Sequence, residues 1–163
     1  MAEDSELSAL HGHDGSQAEM MSECCILVDT AGNSIGSETK LNCHFGEGML
    51  HRAFSVLIFD TDGAMLVQKR SDDKITFPSV WANACCSHPL DIPGENDDVV
   101  SGVMNAARRK LQQELGISES QLSKIEFKHI GSFLYECRWD SEWIEREVDH
   151  VLVAISDGID VNP

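Results

Sequence analysis

Positive charge is scarce in this chain and missing from its first stretch. Twelve Lys and Arg stand against 28 Asp and Glu, a formal net charge of −16, and no basic residue precedes Lys40. So acidic a chain is not drawn to nucleic acid or to anionic membranes, and an anionic ligand would need a local basic pocket. The bare N-terminus excludes the basic n-region of a secretory signal and the Arg-rich character of a transit peptide. No apolar run approaches bilayer-spanning length. These absences predict a soluble cytoplasmic protein without nucleic-acid or membrane partners, with a monomer the expected state. The six cysteines, at 24, 25, 43, 85, 86 and 137, nowhere show the two-residue gap of structural zinc sites. Adjacent cysteines rarely bridge each other, because a disulfide needs well-separated Cα atoms, so reduced thiols are expected.

At 163 residues and 42% hydrophobic content the chain can bury one core, which predicts one domain. Residues 1–23 are polar, acidic and without periodicity, and read as a mobile tail in which His11 and His13 meet solvent. From Cys25, "CILVD", "FSVLIF", the turn "DTDG" and "AMLVQKR" predict strands and a hairpin. After the loops "SDDKITFPSV" and "HPLDIPGEN", a helix is expected from an N-cap at Asn96 to a stop at Gly116. Its apolar face is Val100, Val103, Ala107, Leu111 and Leu115. "IEFKHIGSFLYEC" and "WIEREVDHVLVAI" predict two more strands, the second alternating Ile144, Arg146 and Val148 with Glu145, Glu147 and Asp149. The fold class is mixed α/β or α+β, with a sheet built mainly from short-range connections. The closing "DGIDVNP" contributes no covering helix, so residues 24–163 read as a domain incomplete at its C-terminus.

Three histidines, His44, His51 and His88, and the i, i+2 pair Glu145 and Glu147 could together form a mixed N/O metal site. Such a set suits manganese, zinc or iron better than magnesium. The bland alternative is hydrogen-bonded structural histidines and a solvated charged strand. Lys40, Arg70 and Lys74 could hold a phosphate, although composition alone favours exposed solubilising charge for these residues, Lys69 and the "RRK" run at 108–110. Glu114, four residues after Lys110, reads as half of a weak surface pair or as an anchor for a magnesium diphosphate. Cys86, beside His88, could be a tuned thiol or an inert buried one.

The blocks "NCH", "LHRAFSV", "QKRSDDKITFP", "WANACCSHPL" and "ARRKLQQELGI", followed by an "ExE" strand, closely resemble type I isopentenyl diphosphate isomerases from about Cys24 onward. The resemblance implies a Nudix-like fold, a mixed sheet flanked by helices. It departs from the hydrolytic Nudix pattern in "RKLQQELGI": Arg109, Glu114, Gly116 and Ile117 match, whereas Lys110 and Gln113 replace glutamates, which counts against a diphosphate hydrolase. By resemblance, Cys86 and Glu147 are the catalytic pair, assisted by Tyr135. His44, His51, His88, Glu145 and Glu147 hold one divalent ion (Mn, Zn or Mg). Lys40, Arg70 and Lys74 bind substrate, and Glu114 lies near a magnesium carried by the substrate diphosphate. Trp81 is a candidate pocket wall or a core residue. The implied reaction moves a double bond between isopentenyl and dimethylallyl diphosphate through a tertiary carbocation. The rivals are a Nudix-type hydrolase and a noncatalytic prenyl-diphosphate-binding remnant. The family's domain is expected to continue beyond residue 163.

Overall fold

The structure, a computed structural model, describes residue 10 and residues 15–162. In chain order it runs α1 (Gly15–Met20), β1 (Cys24–Val28), β2 (Ser34–Thr39), α2 (Lys40–His44), β3 (His51–Phe59), β4 (Val67–Lys69), β5 (Trp81–Asn83) and β6 (Cys85–Ser87). Helix α3 (Val99–Leu115), α4 (Glu119–Leu122), β7 (Lys128–Arg138) and β8 (Ile144–Ile155) follow. The main sheet has the order β2-β1-β3-β8-β7, with β6 also on β3, and β4 and β5 form a separate two-stranded sheet.

The central pair is parallel: β3 and β8 run in register from His51 opposite Glu147 to Phe59 opposite Ile155. The sheet is therefore not dominated by short-range connections, because its middle joins the two halves of the chain. The parallel pairing needs the long crossover that carries α3. Since side chains alternate along a strand, this register sorts residues by face. Phe54, Val56, Ile58, Leu152 and Ala154 pack with Val103, Ala106, Ala107, Leu111 and Leu115 of α3 to make the core. His51, Ser55, Glu147 and Asp149 fall on the opposite face. Burying each large apolar side chain contributes about 1.5–3 kcal/mol, so the α3 side holds the sheet while the other face is left for polar groups.

Helix α3 starts two residues later than its sequence suggests. Asp98 is the N-cap, its carboxylate accepting from the Ser101 amide at 2.9 Å, whereas the Asn96 side chain donates to Asp91 in the preceding loop at 2.6 Å. Val100 lies in the first turn and is exposed, and Ala106 takes its place in the buried stripe. The stop at Gly116 is as expected, in the left-handed region at φ 62°. Its missing Cβ also admits residue 162: a Cβ there would run into the Asn162 carbonyl oxygen. The Asn162 amide donates to the Leu115 carbonyl at 2.7 Å, so the last described residues close the end of α3.

The hairpin after β3 survives for a single bridge, Phe59 to Met65, around a turn in which the Asp60 carboxylate accepts from the Asp62 and Ala64 amides. The chain then leaves, because β6 occupies the β3 edge at Phe54–Val56, and "VQK" pairs instead with "WAN". Within the expected mobile tail, residues 15–20 are helical and Met21 is buried against Ile75 and Trp143. His11 and His13 lie outside the described residues. The "RRK" run is structural, not solubilising. Arg108 donates to the Leu122 and Ile125 carbonyls and stacks 5.0 Å from the Phe127 ring. Arg109 binds Glu95, and Lys110 is only 3% exposed.

Candidate active site

Four buried groups converge on the polar face of the central strands: His44 at the end of α2, His51 opening β3, His88 just after β6 and Glu147 on β8. One ligand atom from each lies within 4.8 Å of all the others. Each element has a local reason to be there. Thr39 caps α2 through the Asn42 amide, and the five-residue helix ends on His44. The His51–Glu147 register fixes two of the four groups directly. Arg109 holds His88, clamping Glu95 with Nε and Nη2 at 2.6 and 2.8 Å and donating to the His88 carbonyl at 3.3 Å. The bidentate clamp ties α3 to the "HPLDIPGE" loop.

The tautomers suit a cation. His44 and His51 turn Nδ1 to the carbonyls of Lys40 and Met49, both at 2.7 Å, so Nδ1 carries the proton and Nε2 keeps its lone pair. His51 Nε2 is buried without a hydrogen-bond partner. Glu147 lies 2.8 Å from His88 Nε2 and 3.6 Å from His51 Nε2. Desolvation holds His44 well below the usual imidazole range and pulls His88 down to about 3, so both rings are neutral. Burial alone would raise Glu147, but the hydrogen bond with His88 and the nearby His51 ring outweigh it and hold the carboxyl well below its ordinary value. Neutral imidazole nitrogens and a carboxylate, with an orphaned buried nitrogen among them, fit one divalent ion.

Glu145 stands apart from these four. It lies one pleat along β8, raised by burial and by the Glu147 charge, and accepts the Tyr135 hydroxyl at 2.9 Å. Tyr135, opposite Glu147 on β7, is pushed far above its usual value by burial and the two carboxylates and stays protonated.

A cavity of about 60 Å³ is lined by His44, His88, Tyr135, Glu145, Glu147, Cys86, Lys40, Arg70, Lys74 and Glu114, among others. The shared space brings together every expected site residue except Trp81, and except His51, which stands behind it in the histidine cluster. Trp81 is 71% exposed on β5, opposite Lys69. Arg70 spends two donors on its own loop, to the Phe77 and Thr76 carbonyls at 2.9 and 2.8 Å, which fixes the rim of the cavity. Glu114 is no surface pair: Lys74 and Lys110 approach one of its oxygens at 3.3 and 3.5 Å and outweigh burial to keep it ionised. Desolvation pulls Lys40 below its ordinary value. A wider cavity of about 720 Å³ shares Gln17, Lys74 and Glu114 with the narrow one and adds Lys69 and Lys110. A narrow polar slot thus meets a wider vestibule in which Lys69, Lys74 and Lys110 stand among Glu19, Glu23 and Glu114.

The "ACCSH" cysteines divide by face. Cys85 is fully buried in the core, and burial holds its thiol well above the usual range. Cys86, opposite Ser55, turns toward the cavity, where desolvation pushes its thiol up to about 11 against the pull of Ser55. Sequence reading missed Ser55, Asp149, Gln17 and Met21. The alternation of "EREVD" had already put Asp149 on the Glu145–Glu147 side, but the contribution of α1 carried no signal in an acidic, aperiodic stretch.

A NUDIX domain family model matches residues 49–162. A crystal structure of a Deinococcus radiodurans protein superposes with a TM-score of 0.61 over 86% of this chain and 77% of its own, at 15% identity, which supports the fold. The Isopentenyl-diphosphate Delta-isomerase 1 of Bos taurus is 45% identical over 157 residues, covering 92% of this chain and 68% of its own length. The Isopentenyl-diphosphate delta-isomerase idi1 of Aspergillus fumigatus is 43% identical, covering 99% and 63%. A chloroplastic relative from Arabidopsis thaliana is 45% identical, covering 90% and 53%. No helix among the described residues is long and apolar enough to cross a membrane. With its Nudix domain and this level of identity, the chain belongs to the isopentenyl-diphosphate delta-isomerase family.

Proposed function

We propose that this enzyme interconverts isopentenyl and dimethylallyl diphosphate, with Cys86 and Glu147 exchanging protons with opposite ends of the reacting allylic unit. The observation that carries the reading is that both side chains line one narrow cavity beside a buried His/Glu cluster. Lys40, Arg70 and Lys74 would bind the diphosphate, and Glu114 would face the magnesium that accompanies it. His44, His51, His88 and Glu147, with Glu145 beside them, would hold the resident ion, and the imidazole-rich donors favour Mn or Zn over Mg. Once bound, that ion supplies positive charge that fixes and polarises the two carboxyl groups.

In the forward direction a proton passes from the Glu147 carboxyl to the terminal methylene carbon, leaving a tertiary cation. Cys86, as thiolate, takes a proton from the neighbouring methylene, and the new double bond forms there. The Tyr135 phenol keeps a proton beside both carboxyls. A neutral thiol with an ionised Glu147 is the pair left after a forward turnover and the one that starts the back reaction. A narrow slot excludes the water that would trap the cation as an alcohol.

The hydrolase alternative is disfavoured by Lys110 and Gln113. A lysine ammonium stands beside Glu114 where the hydrolytic pattern has a carboxylate. The test is incubation with isopentenyl diphosphate and Mg²⁺ plus Mn²⁺ or Zn²⁺, following the isomer by proton NMR and free phosphate by colorimetry. Dimethylallyl diphosphate without phosphate release is expected. Phosphate release without the isomer, or binding without turnover, would overturn the reading.

A further inference from the structure

A carboxylate on the polar face is left unused by this scheme. Asp149 is 4% exposed, lies on the Glu147 side of β8, and is not among the four clustered metal-binding groups. Its Oδ1 has no hydrogen-bond partner, while its Oδ2 accepts from the Ser55 hydroxyl at 2.7 Å. A buried carboxyl with one hydrogen bond is a poor stabiliser, because the desolvation it suffers exceeds what one bond returns. Its partner is better explained by what lies beyond it. The Ser55 oxygen is 3.5 Å from Cys86 Sγ, across the β3–β6 pair in which the two residues are opposite each other.

We infer that Ser55, anchored by Asp149, is a positioning residue that fixes the Cys86 sulfur in the cavity. The Ser55 hydroxyl is hydrogen-bonded to Asp149. Its oxygen stands 3.5 Å from the sulfur, close enough for a hydrogen bond between them in which either group can donate. Asn83 accepts from the same thiol through its amide oxygen. Cys86 lies on a three-residue strand, and its side chain can take more than one rotamer unless its contacts select one. Ser55, across the β3–β6 pair, and Asn83, three residues before the cysteine, do choose one. A proton transfer to carbon is sensitive to placement at this scale, and a displacement of about 1 Å can cost on the order of a hundredfold in rate.

The inference rests on Cys86 acting on the substrate, and its test separates the two claims. Wild type, Ser55→Ala and Ser55→Thr are compared for kcat, KM and the kinetic isotope effect with isopentenyl diphosphate deuterated at the methylene that loses its proton. Ser55→Ala is expected to lower kcat by about tenfold to a hundredfold, to leave KM within about twofold, and to raise the isotope effect as proton removal becomes slower. Ser55→Thr, which keeps the hydroxyl on a residue suited to a strand, is expected to restore most of kcat. An isomerising wild type with an unchanged Ser55→Ala kcat refutes the positioning role and leaves the isomerase reading intact. A fall in kcat that Thr does not restore, with an unchanged isotope effect, marks a general structural loss and refutes it as well. A wild type that does not isomerise overturns the functional reading itself.

Discussion

Replacing Arg109 by Ala should cost this protein a large share of its stability and loosen His88 at the same time. The Arg109 guanidinium meets both oxygens of Glu95 at 2.6 and 2.8 Å, and Glu95 is 5% exposed. Without it the carboxylate keeps only the Leu90 amide, at 2.8 Å. Removing one partner of such a pair costs about 3–5 kcal/mol, mostly the penalty of the charge left behind, against a total of about 5–15 kcal/mol for a domain. With a urea m value of about 2 kcal/mol/M the unfolding midpoint should fall by about 2 M. Urea titration by circular dichroism measures it, and calorimetric titration with Mn²⁺ should show weakened binding, since the His88 carbonyl loses its donor too. Replacing Glu95 as well, by Gln, should recover part of the loss, because the stranded charge is gone. A fall below about 1 kcal/mol in Arg109→Ala would refute the claim that this clamp builds the site.

Further outcomes follow from single contacts. Gly116→Ala should destabilise by at least about 1 kcal/mol in the same titration, because it forces a side chain into the left-handed region and onto the Asn162 carbonyl. Burial holds His150 down at about 4, so its contribution to stability is present above the free imidazole value near 6.5 and is lost as pH falls toward 4. Wild type should lose on the order of 1–2 kcal/mol over that window through this group, solvent screening included, and His150→Gln should lose correspondingly less. Trp81→Ala should change stability by less than about 0.5 kcal/mol and leave kcat near wild type, because the indole faces solvent away from the cavity.

Much of this architecture is legible in the residues themselves. The α3 stripe and its glycine stop follow from period and capping, and the strands at "FSVLIF" and "EREVDHVLVAI" follow from alternation and branching. Local pattern cannot reveal which strands meet. Nothing in "HRAFSV" announces a parallel partner on β8, yet that register is what sets His51 against Glu147. The same limit explains the hairpin, which local turn chemistry starts correctly and the arrival of β6 cuts short. Charged residues mislead in another way. Composition makes Lys110 and Arg109 look like surface charge, whereas their partners Glu114 and Glu95 bring them into buried pairs. Most residues named by resemblance line one cavity, with His51 behind it; Trp81 lies outside, in an environment that depends on tertiary contacts that spacing does not encode.

The central claim is that a thiol and a carboxyl facing one slot move two protons on a five-carbon chain. Its most direct test is kcat for conversion of isopentenyl to dimethylallyl diphosphate by the wild type beside Cys86→Ala and Glu147→Gln. Loss of about a hundredfold or more in each variant is the expected result. Equal rates in all three would contradict the account.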